Sequence, residues 1–268
     1  MNPTDLGVVW QVMKWPLAAC LMLPPLLVYL GLHVVKREVI FVDLALAQVA
    51  ALGTCVALLM GYHFDDEVTF WLSLAVTFVG AALFSWSRTS RRHHVPQEAI
   101  IGITFVVAAA GVILLLSRVS GGKEELEHLL TGDILNVQAE DVGKRVALFV
   151  ALGLFYRMFH SRFARISETH DDTEITGFNV RLWDFLFYAS FGFVVTSSVS
   201  IAGVLLVFCY LIVPSVAAML YAQTIGKRLA IGWTMGTIVS ALGVYLSLRL
   251  DLPTGATIVC TFGVVLAI

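Results

Sequence analysis

Two polar side chains at the start of an apolar segment have the chemistry to handle a metal cation. Asp43 and Gln48 lie within the run FVDLALAQVAALG, whose other residues are apolar or small. A carboxylate supplies a hard oxygen ligand and an amide supplies a neutral carbonyl oxygen, and both suit a divalent cation that crosses in steps. An ionisable group at the mouth of a membrane span is costly and is therefore a candidate for function. The two residues predict a metal pathway here.

Each candidate also has a structural interpretation that the sequence leaves open. Asp43 can be the N-cap of a helix, and Gln48 can make a hydrogen bond between helices. Five residues rotate a helix by about 140°, so these two side chains do not share one face. Glu98, which follows Pro96-Gln97 at the start of another apolar run, is either a pathway residue or a first-turn carboxylate that the helix dipole favours.

The composition indicates what positions these residues. Hydrophobic residues make up 59% of the chain and charged residues 13%, with a mean hydropathy of +0.87, whereas about a quarter of a soluble domain is charged. We therefore predict an all-α polytopic membrane protein in the lipid bilayer, with one transmembrane domain over residues 1–268. No stretch is basic enough to bind nucleic acid. The four cysteines lie far apart in apolar runs, which excludes a disulfide scaffold.

The apolar runs predict about nine transmembrane helices. They cover about residues 15–35, 42–62, 68–86, 99–116, 146–159, 183–195, 201–221, 230–248 and 256–268, with a Thr/Ser turn between the sixth and the seventh. A Pro-Pro pair at residues 24–25 is expected to kink or break the first. With the N-terminus outside, eleven of the 17 Lys and Arg residues face the cytosol and six face outward, in agreement with the positive-inside rule.

The seventh span, 201–221, combines an internal proline with a basic end. Pro214 lies deep in the apolar run, and Gly226-Lys227-Arg228 follows it on the predicted cytosolic side. A bent helix that ends at cations suits the transfer of motion between membrane and cytosol. The sequence contains no P-loop for ATP and no metalloprotease or serine-hydrolase motif, so transport is favoured over an enzyme.

Several segments, in order, resemble one family, the permease subunits of bacterial zinc, manganese and iron ABC importers. The most specific are GVLLVFCYLIVPSVAAML in the seventh span and the turn DLPTG near the C-terminus, and VDLALAQVAALG and TGFNVRLWDFLF add to them. The resemblance covers about residues 36–265. It implies a type II ABC importer-like fold in the bacterial cytoplasmic (inner) membrane.

The resemblance also implies partners and residue roles. A cytosolic ABC ATPase would hydrolyse ATP, so that the chain needs no cofactor of its own. A second permease copy would complete a dimer, of identical or different subunits, and an extracytoplasmic metal-binding protein would dock outside. The residues expected to couple to the ATPase are Pro214, Ser215, Ala218, Gly226, Lys227 and Arg228. Those expected to face the docking protein, unless they form only a solvated face, are Glu124, Glu125, Glu127, His128 and Asp133.

The second span departs from the family pattern, which commonly reads Gly-Asp-x-Leu-[Ser/Ala]-His. Aligned on Gly53, the family histidine position is Gln48 and the family aspartate position is Leu44, with the acid one residue earlier at Asp43. A Gln carbonyl is a much weaker zinc ligand than an imidazole. Either Asp43 replaces the family acid from a shifted angle, or the cargo or its ligation state differs.

The expected function is ATP-driven import of a divalent transition metal by alternating access, with zinc or manganese as the leading cargo. One alternative is an ATPase-independent channel or secondary carrier for a cation. Such carriers usually show charged pairs within the membrane or broken helices in symmetric halves, and the sequence shows neither clearly. The other alternative is a non-transporting subunit of a membrane assembly.

Overall fold

The structure is a computed structural model, and its regular elements are helices. It describes residues 6–63, 66–89, 96–119, 124, 129–132, 134, 137–168 and 180–267. The long helices of these ranges are α1 (Leu6–Lys36), α2 (Val42–Leu59), α3 (Glu67–Thr89), α4 (Gln97–Leu116), α5 (Ala139–Met158), α6 (His160–Glu168), α7 (Val180–Tyr221), α8 (Ile225–Leu250) and α9 (Thr254–Ala267). The all-α prediction is confirmed.

Six helices of the described ranges are long and apolar enough to cross a bilayer: α1, α2, α3, α4, α7 and α8. The prediction of about nine spans differs from this number for three reasons. The 42 residues of α7 contain two predicted spans, because two helices are joined across a kink at Gly203. The apolar α9 has only 14 residues. Charges at both ends of α5, such as Arg145 and Arg157, lower its hydropathy.

The break between the two halves of α7 lies at Gly203, whereas the predicted Thr/Ser turn is wrong. Residues 196–200 are helical, and Gly203 has φ 74° and ψ 162°. The hydroxyls of Ser197 and Ser198 bond to the carbonyl of Val194 at 3.1 and 2.7 Å, so the helix itself satisfies them. Glycine adopts a positive φ without the steric cost of a Cβ, and this decides where the helix breaks.

The described chain forms two compact units, and the prediction of a single domain stays a prediction. The first unit comprises residues 1–32, 131–153 and 200–268. In it, the Ser215 hydroxyl donates to the Val28 carbonyl at 3.2 Å, and the Trp233 indole donates to the Pro25 carbonyl at 3.0 Å. These bonds join α7 and α8 to α1, which runs without interruption through Pro24-Pro25.

The second unit, residues 33–130 and 154–199, contains the predicted metal pathway. Helix α2 packs against α3, where the Ser73 hydroxyl donates to the Ala50 carbonyl at 2.7 Å. The same helix packs against α4 through a cluster of buried side chains that comprises Ala51, Cys55, Val112, Leu116 and Leu129. Small residues on α2 let its neighbours approach closely, which is how helices associate in a bilayer. Helix α2 is therefore held on two sides by its neighbours.

The tight packing of Gly31 of α1 against α7 gives a test of the packing within the first unit. A Cβ added at Gly31 would overlap the Leu211 carbonyl and the Ser215 hydroxyl, whereas a Cβ added at Gly102 meets no atom within 4 Å. We expect Gly31→Ala to lower the free energy of unfolding by about 1–3 kcal/mol, because overpacking forces backbone shifts. Thermal unfolding in nanodiscs would show it. Gly102→Ala is the control and should unfold at or above the wild-type temperature; equal shifts in both variants would contradict the close approach.

Candidate metal pathway

A five-residue turn between α1 and α2 places the first candidate ligand. The turn is closed by main-chain bonds from Val39 N to Val34 O and from Val42 N to Val39 O, at 3.3 and 3.1 Å. Glu38 adopts a positive φ of 57° within it. As a result, α2 begins at Val42 with Phe41 as its N-cap residue, and Asp43 is the second residue of the helix.

Asp43 is buried and has no hydrogen-bond partner among the described residues. Its side chain is 1% exposed, and neither carboxylate oxygen has a hydrogen bond to the described residues. The N-cap interpretation is wrong, because Phe41 holds the cap position and no side chain caps this helix from there. A buried carboxylate that lacks hydrogen bonds and counter-charge is costly. The acid is therefore available to a cation.

Gln48 lies one and a half turns further along α2 and is buried, with 8% exposure. The structure gives its amide no hydrogen bond to another described residue, so the interpretation as an interhelical bond has no support here. Asp43 and Gln48 remain five residues apart on one regular helix, and the structure does not bring them onto one face. Both residues therefore stay candidates for the metal pathway.

Glu98 of α4 caps the start of α2, which the sequence does not predict. Its Oε1 accepts a hydrogen bond from the Phe41 main-chain N–H at 3.1 Å, so this first-turn residue of α4 caps the neighbouring helix α2. Its Oε2 is shielded from solvent and has no hydrogen-bond partner among the described residues. The contact joins residues 57 positions apart, and no local pattern indicates it. Glu98 and Asp43 thus lie at the same end of α2.

Arg37, the first residue of the turn between α1 and α2, forms a buried ion pair with Asp184 that was not predicted from the sequence. Arg37 donates from one terminal nitrogen to Asp184 at 2.9 Å and from Nε to Ser167 at 2.9 Å, and the two charged side chains are 4% and 2% exposed. Its guanidinium also lies 3.9 Å from the centre of the Phe187 ring. One signal was available, because an aspartate inside the apolar run LWDFLF requires a cation. Arg37 is thus committed to Asp184 and does not neutralise Asp43.

The donors at this end of α2 are oxygens. In the described part of the chain, no group of three or more His, Cys, Asp or Glu side chains could hold a metal ion. The site is therefore unlike a closed structural metal cage. A few carboxylate oxygens at the mouth of a span suit weak, stepwise binding.

The predicted coupling residues divide into a buried group and an exposed group. Pro214, Ser215 and Ala218 are buried in α7. The helix ends at Tyr221, and Gly226 and the residues after it belong to the first turn of α8. This corrects the interpretation of Gly226-Lys227-Arg228 as the end of the seventh span.

The turn between α7 and α8 is held by its own arginine. Arg228 donates from Nε to the Ala222 carbonyl at 2.9 Å, which satisfies a carbonyl just past the end of α7. Tyr221 and Lys227 are exposed beside it. We name residues 221–228, from the last residue of α7 into the first turn of α8, the α7–α8 turn, and most of its residues are exposed.

The predicted docking residues are mostly outside the described ranges. Glu124 is described and is exposed. The others, Glu125, Glu127, His128 and Asp133, lie outside the described residues. Their role as a docking surface stays a prediction.

Comparison with models of protein families identifies the family of this chain. The model described as "ABC 3 transport family" matches residues 9–268. The chain belongs to the ABC 3 transport family. The predicted resemblance to metal-type ABC permeases is thereby confirmed, and the family together with the six apolar helices makes the chain a multi-pass protein of the bacterial inner membrane.

Relatives of this ABC 3 chain carry names that concern manganese. It is 27% identical to the manganese transport system membrane protein MntC of Halalkalibacterium halodurans, over 86% of the chain and 76% of that protein. It is 25% identical to the manganese import system permease protein ScaB of Streptococcus parasanguinis, over 87% of the chain and 81% of that protein.

A solved structure shares the fold of this ABC 3 chain. PsaBC from Streptococcus pneumoniae, determined in complex with a Fab, superposes with a TM-score of 0.80. The match covers 97% of this chain and 92% of the other at 20% identity. This likeness establishes the permease fold.

The buried ion pair gives a test of the region that carries the site. Asp184→Asn removes the counter-charge of Arg37, and breaking a buried pair costs about 3–5 kcal/mol because one charge stays buried alone. We expect a clearly lower unfolding temperature in nanodiscs. The control is Glu140→Gln, since the Glu140–Lys144 pair is largely exposed and such pairs contribute little. Equal unfolding temperatures of the two variants would contradict a structural role for the buried pair.

Proposed function

We propose that this chain is the permease subunit of an ATP-driven importer of divalent transition metals, with manganese as its cargo. The observation that carries the proposal is the Asp43 carboxylate, which is 1% exposed and lacks hydrogen bonds at the start of an apolar helix. A buried charge without a partner calls for a cation. In a member of the ABC 3 transport family, the most direct candidate for that cation is the cargo.

The donor types favour manganese over zinc. Asp43, Gln48 and Glu98 offer oxygen atoms at and beyond the start of α2, and oxygen ligands suit manganese, whereas imidazole and thiolate suit zinc. The family histidine position is occupied by Gln48. The manganese names of the relatives point in the same direction.

The proposed cycle needs partners. The sequence has no P-loop, so a cytosolic ABC ATPase would bind and hydrolyse ATP. A second permease copy would complete the membrane core, and an extracytoplasmic metal-binding protein would deliver the ion. Closure of the ATPases would act on the exposed α7–α8 turn, and α7 would carry the motion to the spans that line the path.

Two observations bear on the alternative of an ATPase-independent carrier. The Arg37–Asp184 pair and the break at Gly203 are features that secondary carriers use, and neither is evident from the sequence. Arg37 and Asp184 satisfy each other, however, and leave no group for a coupling ion. Co-purification decides the question: a chain that retains no ATPase with a P-loop in mild detergent would contradict the importer.

The pathway proposal is tested by Asp43→Asn. This substitution keeps the shape of the side chain and removes its charge, so we expect ATP-driven uptake of radioactive Mn²⁺ into proteoliposomes to fall at least about tenfold, as for loss of a charged ligand. Assembly with the ATPase should be unchanged. Asp251→Asn is the control, because Asp251 is exposed with a φ of 55° that Asn tolerates. Wild-type uptake by Asp43→Asn would remove Asp43 from the pathway.

The coupling proposal is tested by Arg228→Gln. Loss of the bond to the Ala222 carbonyl should loosen the α7–α8 turn, so that Mn²⁺ uptake and ATPase stimulation fall together. Binding of Mn²⁺ to the chain should stay the same, because Arg228 is not at the α2 site. Arg249→Gln, near the other end of α8, is the matched control. A fall in Mn²⁺ binding with normal ATPase stimulation would contradict a coupling role.

A further inference from the structure

We propose that Glu98 is the second acidic ligand of the cation held by Asp43 and that it sets the site's preference for a hard divalent ion. This inference rests on the proposed function, because it concerns the same site. The position of Glu98 in the sequence makes it a pathway candidate but does not connect it to Asp43. It follows from contacts between α2 and α4 at the end where both helices begin.

The position of Glu98 is fixed by its neighbours. Gln97, the residue before it, donates from Nε2 to the Phe84 carbonyl at 3.2 Å and to the Tyr188 hydroxyl at 3.0 Å. Glu98 Oε1 in turn accepts the Phe41 main-chain N–H at 3.1 Å. The first turn of α4 is therefore held in place, and one carboxylate oxygen is tied to the residue two positions before Asp43.

The other oxygens at this helix end have no partner. Glu98 Oε2 and both oxygens of Asp43 are shielded from solvent and make no hydrogen bond to the described residues. The tied oxygen orients the carboxyl group of Glu98, and this is how a hydrogen bond on one atom of a ligand prepares another atom for a metal. Three carboxylate oxygens at one helix end thus have no partner among the described residues.

The charges define the missing group. Two carboxylates lie at this end of α2, and the nearby Arg37 already pairs with Asp184 at 2.9 Å. A divalent cation balances two ionised carboxylates, whereas a monovalent metal ion leaves one charge uncompensated. The oxygen-only set favours Mn²⁺ over Zn²⁺. Because no third acidic, His or Cys ligand joins them in the described ranges, water and neutral oxygens would complete the coordination.

Glu98 also caps α2, and one substitution separates the two roles. In Glu98→Gln the side-chain carbonyl still accepts the Phe41 N–H, while the charge and one carboxylate oxygen are lost. Glu98→Ala loses the cap as well. A residue that only caps will therefore tolerate Gln and not Ala, whereas a ligand will tolerate neither.

The experiment measures Mn²⁺ binding to the purified full-length chain in nanodiscs, from the loss of the electron paramagnetic resonance signal of free MnCl₂. We expect Glu98→Gln to weaken binding at least about tenfold, through loss of one ligand charge, with the unfolding temperature of the wild type. The double variant with Asp43→Asn should bind no more weakly than Asp43→Asn alone, because ligands of one ion are not additive. Glu67→Gln is the control, since Glu67 is an exposed first-turn glutamate of α3.

The outcomes separate the two proposals. Wild-type binding by Glu98→Gln with weak binding by Asp43→Asn overturns the role of Glu98 and leaves the proposed pathway standing. Wild-type binding by both variants overturns both. If Glu98→Gln does not fold, Glu98→Asp and Glu98→Asn replace it as a pair of equal size that differs in charge, and equal Mn²⁺ affinities of these two would overturn the inference.

Discussion

The structure around the candidate site depends on one constraint: a charge removed from water must meet an opposite charge or hydrogen bonds. Arg37 meets this requirement through the charge of Asp184, a hydrogen bond to Ser167 and the face of Phe187, although its second terminal nitrogen has no hydrogen-bond partner among the described residues. Asp43 does not meet it at all among the described residues. Arg37 and Asp43 are both buried in the second unit, but only Arg37 has a charged partner among the described residues. The satisfied pair holds helices together, and the unsatisfied acid is the group that we propose as a cation ligand.

The same constraint governs the main-chain groups at the helix ends. Helix α2 has no side-chain cap of its own, and Glu98 of α4 supplies the acceptor for Phe41 instead. Arg228 serves a carbonyl beyond the end of α7 in the same manner. In both places a functional candidate is also a structural element, so that movement of one helix end changes the surroundings of a charged group. An alternating-access transporter needs such links between helix position and the state of a site.

Helices in a bilayer gain no hydrophobic energy by contacting one another, and this explains why these helices pack so closely. In a bilayer, helices associate through small residues and hydrogen bonds, since the lipid is as apolar as the side chains. Gly31 lies directly against the Leu211 carbonyl, and hydroxyls such as Ser73 and Ser215 donate to carbonyls of neighbouring helices. Within each of the two units, these contacts hold neighbouring helices together.

The sequence by itself determined the fold class, the family and the positions of Asp43 and Gln48, because hydropathy, helix length and ordered motifs are local properties. Tertiary structure decided the rest. The helix continues through the serines, whose hydroxyls find acceptors within it, and breaks at Gly203, which adopts a positive φ. The cap that Glu98 gives to α2 and the pair of Arg37 with Asp184 join residues 57 and 147 positions apart. Such contacts are set by which helices pack together, and no local spacing encodes them.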